Sequence, residues 1–240
     1  MLGKICEALD DAELRQILSG GVILDGLALQ ELWQRGLGEF TGVKPGQANS
    51  VGLWQYYTDH PLNGVYAGDS RVTFVEDPTN AACELLPVAS DVGDLAHLRW
   101  VDGSDLGMCV SVFRNELGGR VVVRTYSPWT ALGTLPERAQ MLVLAEWISG
   151  QTLPLIINRN FRLAPFIRCS TDGHQFVLVL LNASLDDTGP FECKLRVKTR
   201  VVNQLRASGD APIAHSLTDD GMVIDIANIP AWHTLTLAGG

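Results

Sequence analysis

The first forty residues alternate between helix-like and strand-like hydrophobic patterns. Apolar side chains recur every three or four positions over residues 1–19, which predicts helix. Asp10 followed by Glu13 matches a capping box, so two short helices fit this stretch as well as one does. Residues 22–25 form a short apolar run typical of a buried parallel strand, and residues 27–35 return to helical spacing. This strand–turn–helix unit is a building block of open α/β sheets.

The next hundred residues combine irregular chain with a hairpin and a long helix. Residues 41–70 are rich in Gly, Pro and Asn, which predicts an excursion with room for one strand, and residues 71–75 alternate as a strand does. The apolar runs 107–113 and 120–126 flank a glycine-bearing turn and predict an antiparallel hairpin. Residues 136–149 have a broad apolar face, begin with Pro and are followed by Gly, which predicts a helix.

Beyond Gly150 the pattern contains strands only. Six β-like runs are separated by turn signals and lack helical spacing. They cover residues 153–157, 162–168, 175–181, 191–197, 222–226 and 233–237. Such spacing predicts a small antiparallel β-sandwich. The fold class is therefore expected to be α/β plus all-β, with an α/β domain at 1–150 and a β-sandwich domain at 151–240.

Composition and charge exclude several classes of protein. The 240 residues are 46% apolar and 19% charged, which is too apolar for a disordered chain. No run approaches the roughly 18–20 apolar residues of a membrane span, so no membrane partner is expected. The 18 Lys and Arg against 27 Asp and Glu give a net charge of −9, which argues against a nucleic-acid partner.

Cysteine usage and the N-terminal residues predict a cytoplasmic protein. The apolar residues at the N-terminus are interrupted by charges, unlike those of a secretory signal. The cysteines are odd in number, widely scattered and free of any C-x-x-C pair, which is typical of a reducing compartment. They are Cys6, Cys83, Cys109, Cys169 and Cys193.

Cys109 is the cysteine whose surroundings partly match a catalytic motif. The segment Gly107-Met-Cys109-Val-Ser111 resembles a nucleophile elbow, in which small residues flank the nucleophile at a strand-to-helix turn. Here Ser111 replaces the second glycine, and the segment continues into a hairpin. A buried strand cysteine fits this context better than a catalytic thiol.

The histidines and the glycine-rich turn give no sign of a metal or cofactor site. Residues 117–120 lack the spacing of a phosphate loop and predict a hairpin turn. No H-x-H or H-x-x-x-H pair sets two imidazoles on one face, so neither metal ligands nor a cofactor are predicted. The scattered histidines are His60, His97, His174, His215 and His233.

Two pairs of adjacent carboxylates are candidates for acid/base chemistry, but their positions argue against that role. Neighbouring residues on a strand face opposite ways, so Glu76-Asp77 cannot pair on a strand. Asp186-Asp187 lies in a predicted turn, where solvated carboxylates stabilise the backbone. Asp25 follows a predicted parallel strand, a place where open sheets bind ligands, but it can equally cap the next helix.

Aromatic residues leave two interpretations open. Trp54, Tyr56, Tyr57 and Trp129 fall at predicted loop positions, where exposed rings can stack on sugars. Packing in a core or against a partner domain explains the same residues equally well.

Three segments, taken in order, carry a resemblance to a known family. They are Ser19-Gly-Gly-Val-Ile-Leu-Asp-Gly26 with Gly36-Leu-Gly-Glu-Phe-Thr-Gly-Val43, then Asn115-Glu-Leu-Gly-Gly-Arg-Val-Val-Val123, then Leu178-Val-Leu-Leu-Asn-Ala-Ser-Leu-Asp-Asp187. This order resembles the regions after the catalytic barrel in bacterial glycoside hydrolases related to the family 42 β-galactosidases. In those enzymes a glutamine-amidotransferase-like α/β domain, often called the trimerisation domain, precedes a small β-sandwich.

The resemblance implies an N-terminally truncated, incomplete amidotransferase-like open α/β domain followed by the sandwich. The family's acid/base and nucleophile glutamates lie in its barrel, and 240 residues cannot hold a barrel of roughly 250 residues as well as these domains. No position here inherits those glutamates, and Cys109 lies in the wrong context for the amidotransferase thiol. The resemblance therefore implies no catalytic residue in this chain.

Three functional hypotheses follow. The leading one is a non-catalytic C-terminal accessory or oligomerisation region of a β-galactosidase-like glycoside hydrolase. Its partners would be the upstream catalytic barrel of the same enzyme and further copies of the chain. The alternatives are an independent carbohydrate-binding module, which rests on the sandwich and the loop aromatics, and a hydrolase of amidotransferase-like fold that uses Cys109.

Overall fold

A computed structural model describes residues 3–48, 54–72, 83–126, 134–157, 162–199, 201–204 and 213–240. The chain divides into two units, Met1–Gln151 and Thr152–Gly240. Within the described ranges, no helix has the length and apolar character needed to cross a membrane.

The first unit combines helices with a six-stranded sheet. Its helices are α1 (Gly3–Ala8), α2 (Asp11–Leu18), α3 (Gly26–Gln34) and α4 (Leu135–Ile148). Its strands are β1 (Gly21–Leu24), β2 (Val43–Ala48), β3 (Trp54–Tyr57), β4 (Ser70–Val72), β5 (Cys83–Pro87), β6 (Gly93–Arg99), β7 (Asp105–Arg114) and β8 (Arg120–Arg124). The sheet has the order β1-β8-β7-β6-β3-β4, and β2 pairs with β5 in a separate antiparallel ribbon.

Strand pairing in this sheet is mixed. β1 and β8 run parallel, whereas the β8–β7, β7–β6, β6–β3 and β3–β4 pairs are antiparallel. The expected combination of helices with a sheet is present. The antiparallel pairs mean that the sheet extends mainly through hairpin-type neighbours, which need no crossover helix.

The N-terminal helices form as the polar positions predict. Asp10 caps α2, its side chain accepting from the Glu13 amide while the Glu13 side chain accepts from the Asp10 amide. The expected capping box is confirmed, and it separates two short helices. Asp25 is the N-cap of α3: its side-chain Oδ1 accepts from the Ala28 nitrogen at 2.8 Å, without a reciprocal side-chain bond from Ala28.

Residues 41–70 contain more regular structure than expected. The prediction of a long excursion with room for one strand was wrong in the number of strands, because β2 and β3 both fall in this range, together with a 3₁₀ helix at Pro61–Tyr66. β2 pairs with β5, about forty residues further along, and local patterns do not reveal such a partner. The strand predicted at 71–75 is present in part as β4, and residues 73–75 lie outside the described ranges.

The β7–β8 hairpin is confirmed, and a buried asparagine joins it to the rest of the unit. The side-chain nitrogen of Asn115 donates to the backbone oxygens of Leu18 (2.9 Å) and Phe40 (3.1 Å). Its oxygen accepts from the amides of Leu117 and Gly119. A Cβ at Gly119 would lie 1.8 Å from the Leu18 oxygen, so only glycine fits there.

The helix predicted at 136–149 is confirmed as α4, and a buried ion cluster holds it against the sheet. Glu137, in the first turn of α4, pairs with Arg71 of β4 at 2.7 Å and with Arg124 of β8. The side chains of Glu137 and Arg124 are both 0% exposed. Arg71 also donates from Nε to the Gln55 side chain (2.8 Å) and to the Tyr57 hydroxyl (3.0 Å). The cluster thus joins three strands to one helix.

The second unit consists of two antiparallel sheets. Its strands are β9 (Leu155–Ile157), β10 (Leu163–Cys169), β11 (Phe176–Asn182), β12 (Phe191–Leu195), β13 (Asn203–Gln204), β14 (His215–Thr218), β15 (Gly221–Ile226) and β16 (Thr234–Gly239). The sheet orders are β10-β11-β16-β13 and β14-β15-β12-β9. All six predicted strands are confirmed, whereas the short β13 and the exposed β14 were not predicted.

The two sheets of the second unit share one apolar core. Alternate residues of β11, β12, β15 and β16 are buried in it, among them Leu178, Leu180, Cys193, Ile224 and Leu237. Asn182 is the last residue of β11. Its side-chain nitrogen donates to the backbone oxygens of Asp186 (2.8 Å) and Ile229 (2.9 Å). The third segment quoted for the resemblance therefore encodes a buried strand and the turn that follows it.

We expect Glu137→Gln to lower the free energy of unfolding by about 3–5 kcal/mol, because it leaves two buried guanidinium groups without their counter-charge. Urea unfolding followed by circular dichroism measures the change. Glu116→Gln is the matched control, because Glu116 is exposed in the β7–β8 turn. A Glu137→Gln loss no larger than that of the control would contradict a structural role for the ion cluster.

Candidate functional site

The first unit contains a cavity of about 590 Å³ between the β2–β5 ribbon and the β6–β7 hairpin. We call it the acidic cavity. Its polar lining comes from Gln47, Glu84, Asp94, His97 and Asp105. Three of these five side chains are carboxylates, so acidic groups dominate the polar part of the wall.

His97 is held between two of the carboxylates. Its Nε2 lies 2.6 Å from Oδ2 of Asp94, and its Nδ1 lies 2.8 Å from Oδ2 of Asp105. The hydrogen bond to Asp94 is the largest influence on the imidazole. Together with the charge of Asp94 and the interactions with Asp105, it outweighs partial burial and raises the pKa of His97 to about 9. His97 is therefore an imidazolium at neutral pH, and both ring nitrogens donate.

An irregular strand allows this arrangement. In a regular strand, residues three apart face opposite sides, so Asp94 and His97 would not meet. The β6–β7 register shifts between Asp94 and Ala96 and again between Ala96 and His97. Such bulges re-aim side chains, and here they bring both groups to the same side of β6.

Gly107 makes room for Glu84 in the cavity wall. Gly107 has a φ of +94°, and a Cβ there would lie 2.6 Å from Cγ of Glu84. Its amide also donates to Oδ1 of Asp105 at 2.8 Å. The glycine that suggested a nucleophile elbow thus positions two carboxylates.

Cys109 has the properties of a structural residue. It lies within the antiparallel strand β7, is 1% exposed, and its thiol pKa is raised far above the ordinary range by burial. A protonated, enclosed thiol is not a nucleophile at neutral pH.

The structure does not assemble the remaining histidines into a site. His60 begins the 3₁₀ helix at Pro61–Tyr66, where its Nδ1 accepts from the Leu62 amide, and burial lowers its pKa. His174 follows Asp172 in a turn, and His233 bonds to the Ala231 oxygen. His215 bonds to the Ile213 oxygen, also far along the chain from the acidic cavity. Among the described residues, no group of three His, Cys, Asp or Glu could hold a metal ion.

Two of the carboxylates that the sequence offered as candidates, Asp25 and Asp187, accept hydrogen bonds from nearby backbone amides and so stabilise local structure. Asp25 is buried and caps α3, and burial raises its pKa. Asp187 accepts from the Ala231 amide at 3.0 Å, and Asp186 is in the adjoining turn. Glu76 and Asp77 lie outside the described residues. The turn at 117–120 joins β7 to β8 as predicted.

The aromatic residues do not form one platform. Trp54 is 40% exposed on β3, and Tyr56 stacks with the Arg99 guanidinium, 4.1 Å from its ring centre. Tyr57 is fully buried on the opposite face of the strand beside Arg71. Trp129 lies outside the described residues. Of the described members, only Trp54 and Tyr56 share a face.

The sequence patterns do not predict the acidic cavity. They present His97 as an isolated histidine and give no signal at Glu84, Asp94 or Asp105. The signal that could have found the site is the hairpin register, which places Asp105 opposite the end of β6. That register contains bulges, and the alternation of side chains does not predict bulges.

No protein-family model matches this sequence, and no curated protein matches it. Solved structures do match in fold. The α-L-fucosidase isoenzyme 2 from Paenibacillus thiaminolyticus aligns with a TM-score of 0.64 and 11% identity, over 96% of this chain and 39% of that one.

Two β-galactosidases align in the same way. A GH42 β-galactosidase from G. stearothermophilus gives a TM-score of 0.55 and 11% identity, over 95% of this chain and 29% of its own. The β-galactosidase from Bacillus circulans sp. alkalophilus gives 0.54 and 12%, over 100% and 31%. This chain thus resembles part of larger glycoside hydrolases in fold and spans less than two-fifths of their length.

We expect the His97 imidazole to titrate with a midpoint near pH 9, measured by NMR of its ring carbons. Asp94→Asn should move that midpoint down towards 6.5, because it removes the stronger of the two carboxylate partners. Asp219→Asn, in an exposed turn of the second unit, is the control and should leave the midpoint unchanged.

The same pKa shift predicts the pH dependence of stability. His97 binds its proton more tightly in the folded chain, so its stabilisation is complete below pH 6.5 and is lost as pH rises through 9. The loss should be about 1–2 kcal/mol, reduced by solvent because both carboxylates are more than a third exposed. A midpoint near 6.5 in the unmodified chain would contradict the paired geometry.

Proposed function

We propose that this chain is a non-catalytic accessory region of a glycoside hydrolase, with an amidotransferase-like α/β domain at 1–150 and a β-sandwich domain at 151–240. One observation carries the proposal: the fold matches cover 95–100% of this chain but only 29–39% of glycosidase chains. A chain that corresponds to a part of such enzymes suits a supporting role beside a catalytic domain located elsewhere in the protein.

The chemistry of the described residues favours a non-catalytic role. The Cys109 thiol is enclosed and protonated, which disfavours the cysteine-hydrolase alternative. In the acidic cavity, Asp94 and Asp105 both hold the same His97 imidazolium. An acid/base pair for glycoside hydrolysis needs two carboxylates free to flank the scissile bond, and a bound imidazolium between them opposes that arrangement.

The cysteines support a reducing, cytoplasmic location. All five are free, and four of them are buried. Burial raises the pKa of Cys6 and Cys83 to about 11 and that of Cys193 to about 12, as expected for thiols that serve as small apolar core residues.

An apolar sheet face supports contacts with further copies of the chain. β11 has the sequence FVLVLLN and is apolar on both faces, which is typical of a strand covered on both sides. Its outward residue Val177 is 43% exposed, and Phe166 of the neighbouring β10 is 63% exposed. Phe166 pairs with Val179, so the apolar residues of the two strands form one surface, and such surfaces are used for association.

To test the catalytic part of the proposal, the purified chain is assayed on 4-nitrophenyl β-galactoside and α-fucoside beside an active β-galactosidase. We expect no turnover above buffer. Turnover that Asp94→Asn or Cys109→Ala abolishes, with folding retained by circular dichroism, would contradict the proposal.

To test the association part, light scattering after size exclusion measures the mass of the chain. We expect a mass that is a multiple of 26.1 kDa, shifted towards 26.1 kDa by Phe166→Ser, because serine removes the largest exposed apolar group of the β10–β11 face. Leu217→Ser is the control, since Leu217 is similarly exposed at 53% on β14. Monomeric wild-type protein, or equal effects of both substitutions, would contradict association through this face.

A further inference from the structure

We propose that the acidic cavity binds a small organic cation: an ammonium group carried on an apolar body. This inference does not depend on the role proposed for the whole chain. It rests on the size of the cavity, the division of its wall into apolar and acidic parts, and the excess of negative charge.

The size and the apolar wall suit a small molecule. Ligand sites in proteins commonly have volumes of roughly 300–1,000 Å³, and this cavity has about 590 Å³. Leu86, Val92, Leu106 and Met108 contribute apolar side chains to the wall. A hydrocarbon body placed against them would lose contact with water, which favours binding by the hydrophobic effect.

The charge of the cavity selects a cation. Among the described lining residues, Glu84, Asp94 and Asp105 are carboxylates and His97 is the one positive group, so two negative charges remain uncompensated there. No lysine or arginine lies in this described part of the lining. An anionic ligand would meet repulsion, and a neutral polyol would leave the excess charge unbalanced.

Glu84 is the carboxylate of the wall that His97 does not engage, because the two ring nitrogens of His97 contact Asp94 and Asp105. Glu84 lies between two glycines: a Cβ at Gly46 would lie 3.0 Å from its Oε2, and one at Gly107 would lie 2.8 Å from its Oε1. An N–H of a bound cation would form a charge-assisted hydrogen bond with this carboxylate.

An organic cation fits this wall better than a metal ion does. The imidazolium of His97 has no free lone pair for a metal and repels a divalent ion. The described carboxylates do not converge into a metal-binding group. The ammonium and its hydrocarbon body instead match the two kinds of lining, acidic and apolar.

Cyclohexylammonium is the probe, and cyclohexanol is its neutral counterpart of the same shape. Isothermal titration of the full chain at neutral pH and low salt measures binding, and NMR follows the His97 ring signals. We expect saturable binding of cyclohexylammonium, at least about tenfold tighter than that of cyclohexanol, and shifted His97 signals. Binding should weaken with added salt, because the cavity carboxylates are partly exposed.

Substitutions assign the binding to the cavity. Glu84→Gln keeps the side-chain shape and removes one charge, and we expect it to weaken cyclohexylammonium binding by about fivefold. Glu192→Gln, at an exposed position on β12 of the second unit, is the matched control and should leave binding unchanged.

Three results would overturn the proposal: no saturable binding tighter than about 10 mM, equal affinities for cyclohexylammonium and cyclohexanol, or equal effects of Glu84→Gln and Glu192→Gln. Circular dichroism shows whether each variant folds. The comparison of the two probes needs no variant, so it tests the inference even if Glu84→Gln is unstable.

Discussion

The first unit depends on one buried charge, the carboxylate of Glu137. Two arginines reach it from different strands, Arg71 from β4 and Arg124 from β8; Arg124 is fully enclosed and Arg71 is 7% exposed. Such groups are tolerated only when they are paired, so the position of α4 over the sheet follows from electrostatics as well as from apolar packing. Tyr57 joins the cluster, and burial, reinforced by the charge of Glu137, raises its pKa to about 12. Within the described ranges the cluster contains two guanidinium groups and one carboxylate, so removal of Glu137 would leave both arginines without that counter-charge.

Two buried asparagines hold turns in place by hydrogen bonds to backbone groups. Asn115 ties the β7–β8 turn to α2 and to the 3₁₀ helix at Gly38–Thr41, and Asn182 ties the end of β11 to the chain that precedes β16. Both lie in segments that resemble glycoside hydrolase regions, and both act by satisfying backbone groups. The motifs that carry the resemblance are therefore structural, which agrees with a likeness of fold at 10–12% identity.

The acidic cavity shows how irregularity creates a chemical site on this scaffold. Regular pairing of β6 with β7 would separate Asp94 from His97, whereas the bulges bring them together and Gly107 admits Glu84. The cavity is formed by the β2–β5 ribbon and the sheet within the first unit. The proposed accessory role and the proposed cation site would together combine support of a larger enzyme with ligand recognition.

The sequence by itself determined the local elements: the capping box at Asp10, helices α3 and α4, the hairpin at Asn115 and six strands of the sandwich, because each depends on neighbours within a few residues. Only the tertiary structure decided which distant segments meet. β2 pairs with β5, about forty residues further along the chain. Glu137 pairs with Arg71, more than sixty residues before it. Glu84 lies in the cavity wall because Gly107 on β7 has no Cβ to occupy that space. Periodicity records which face of an element is apolar. It does not record which distant segment covers that face, nor where a bulge changes the direction of a side chain.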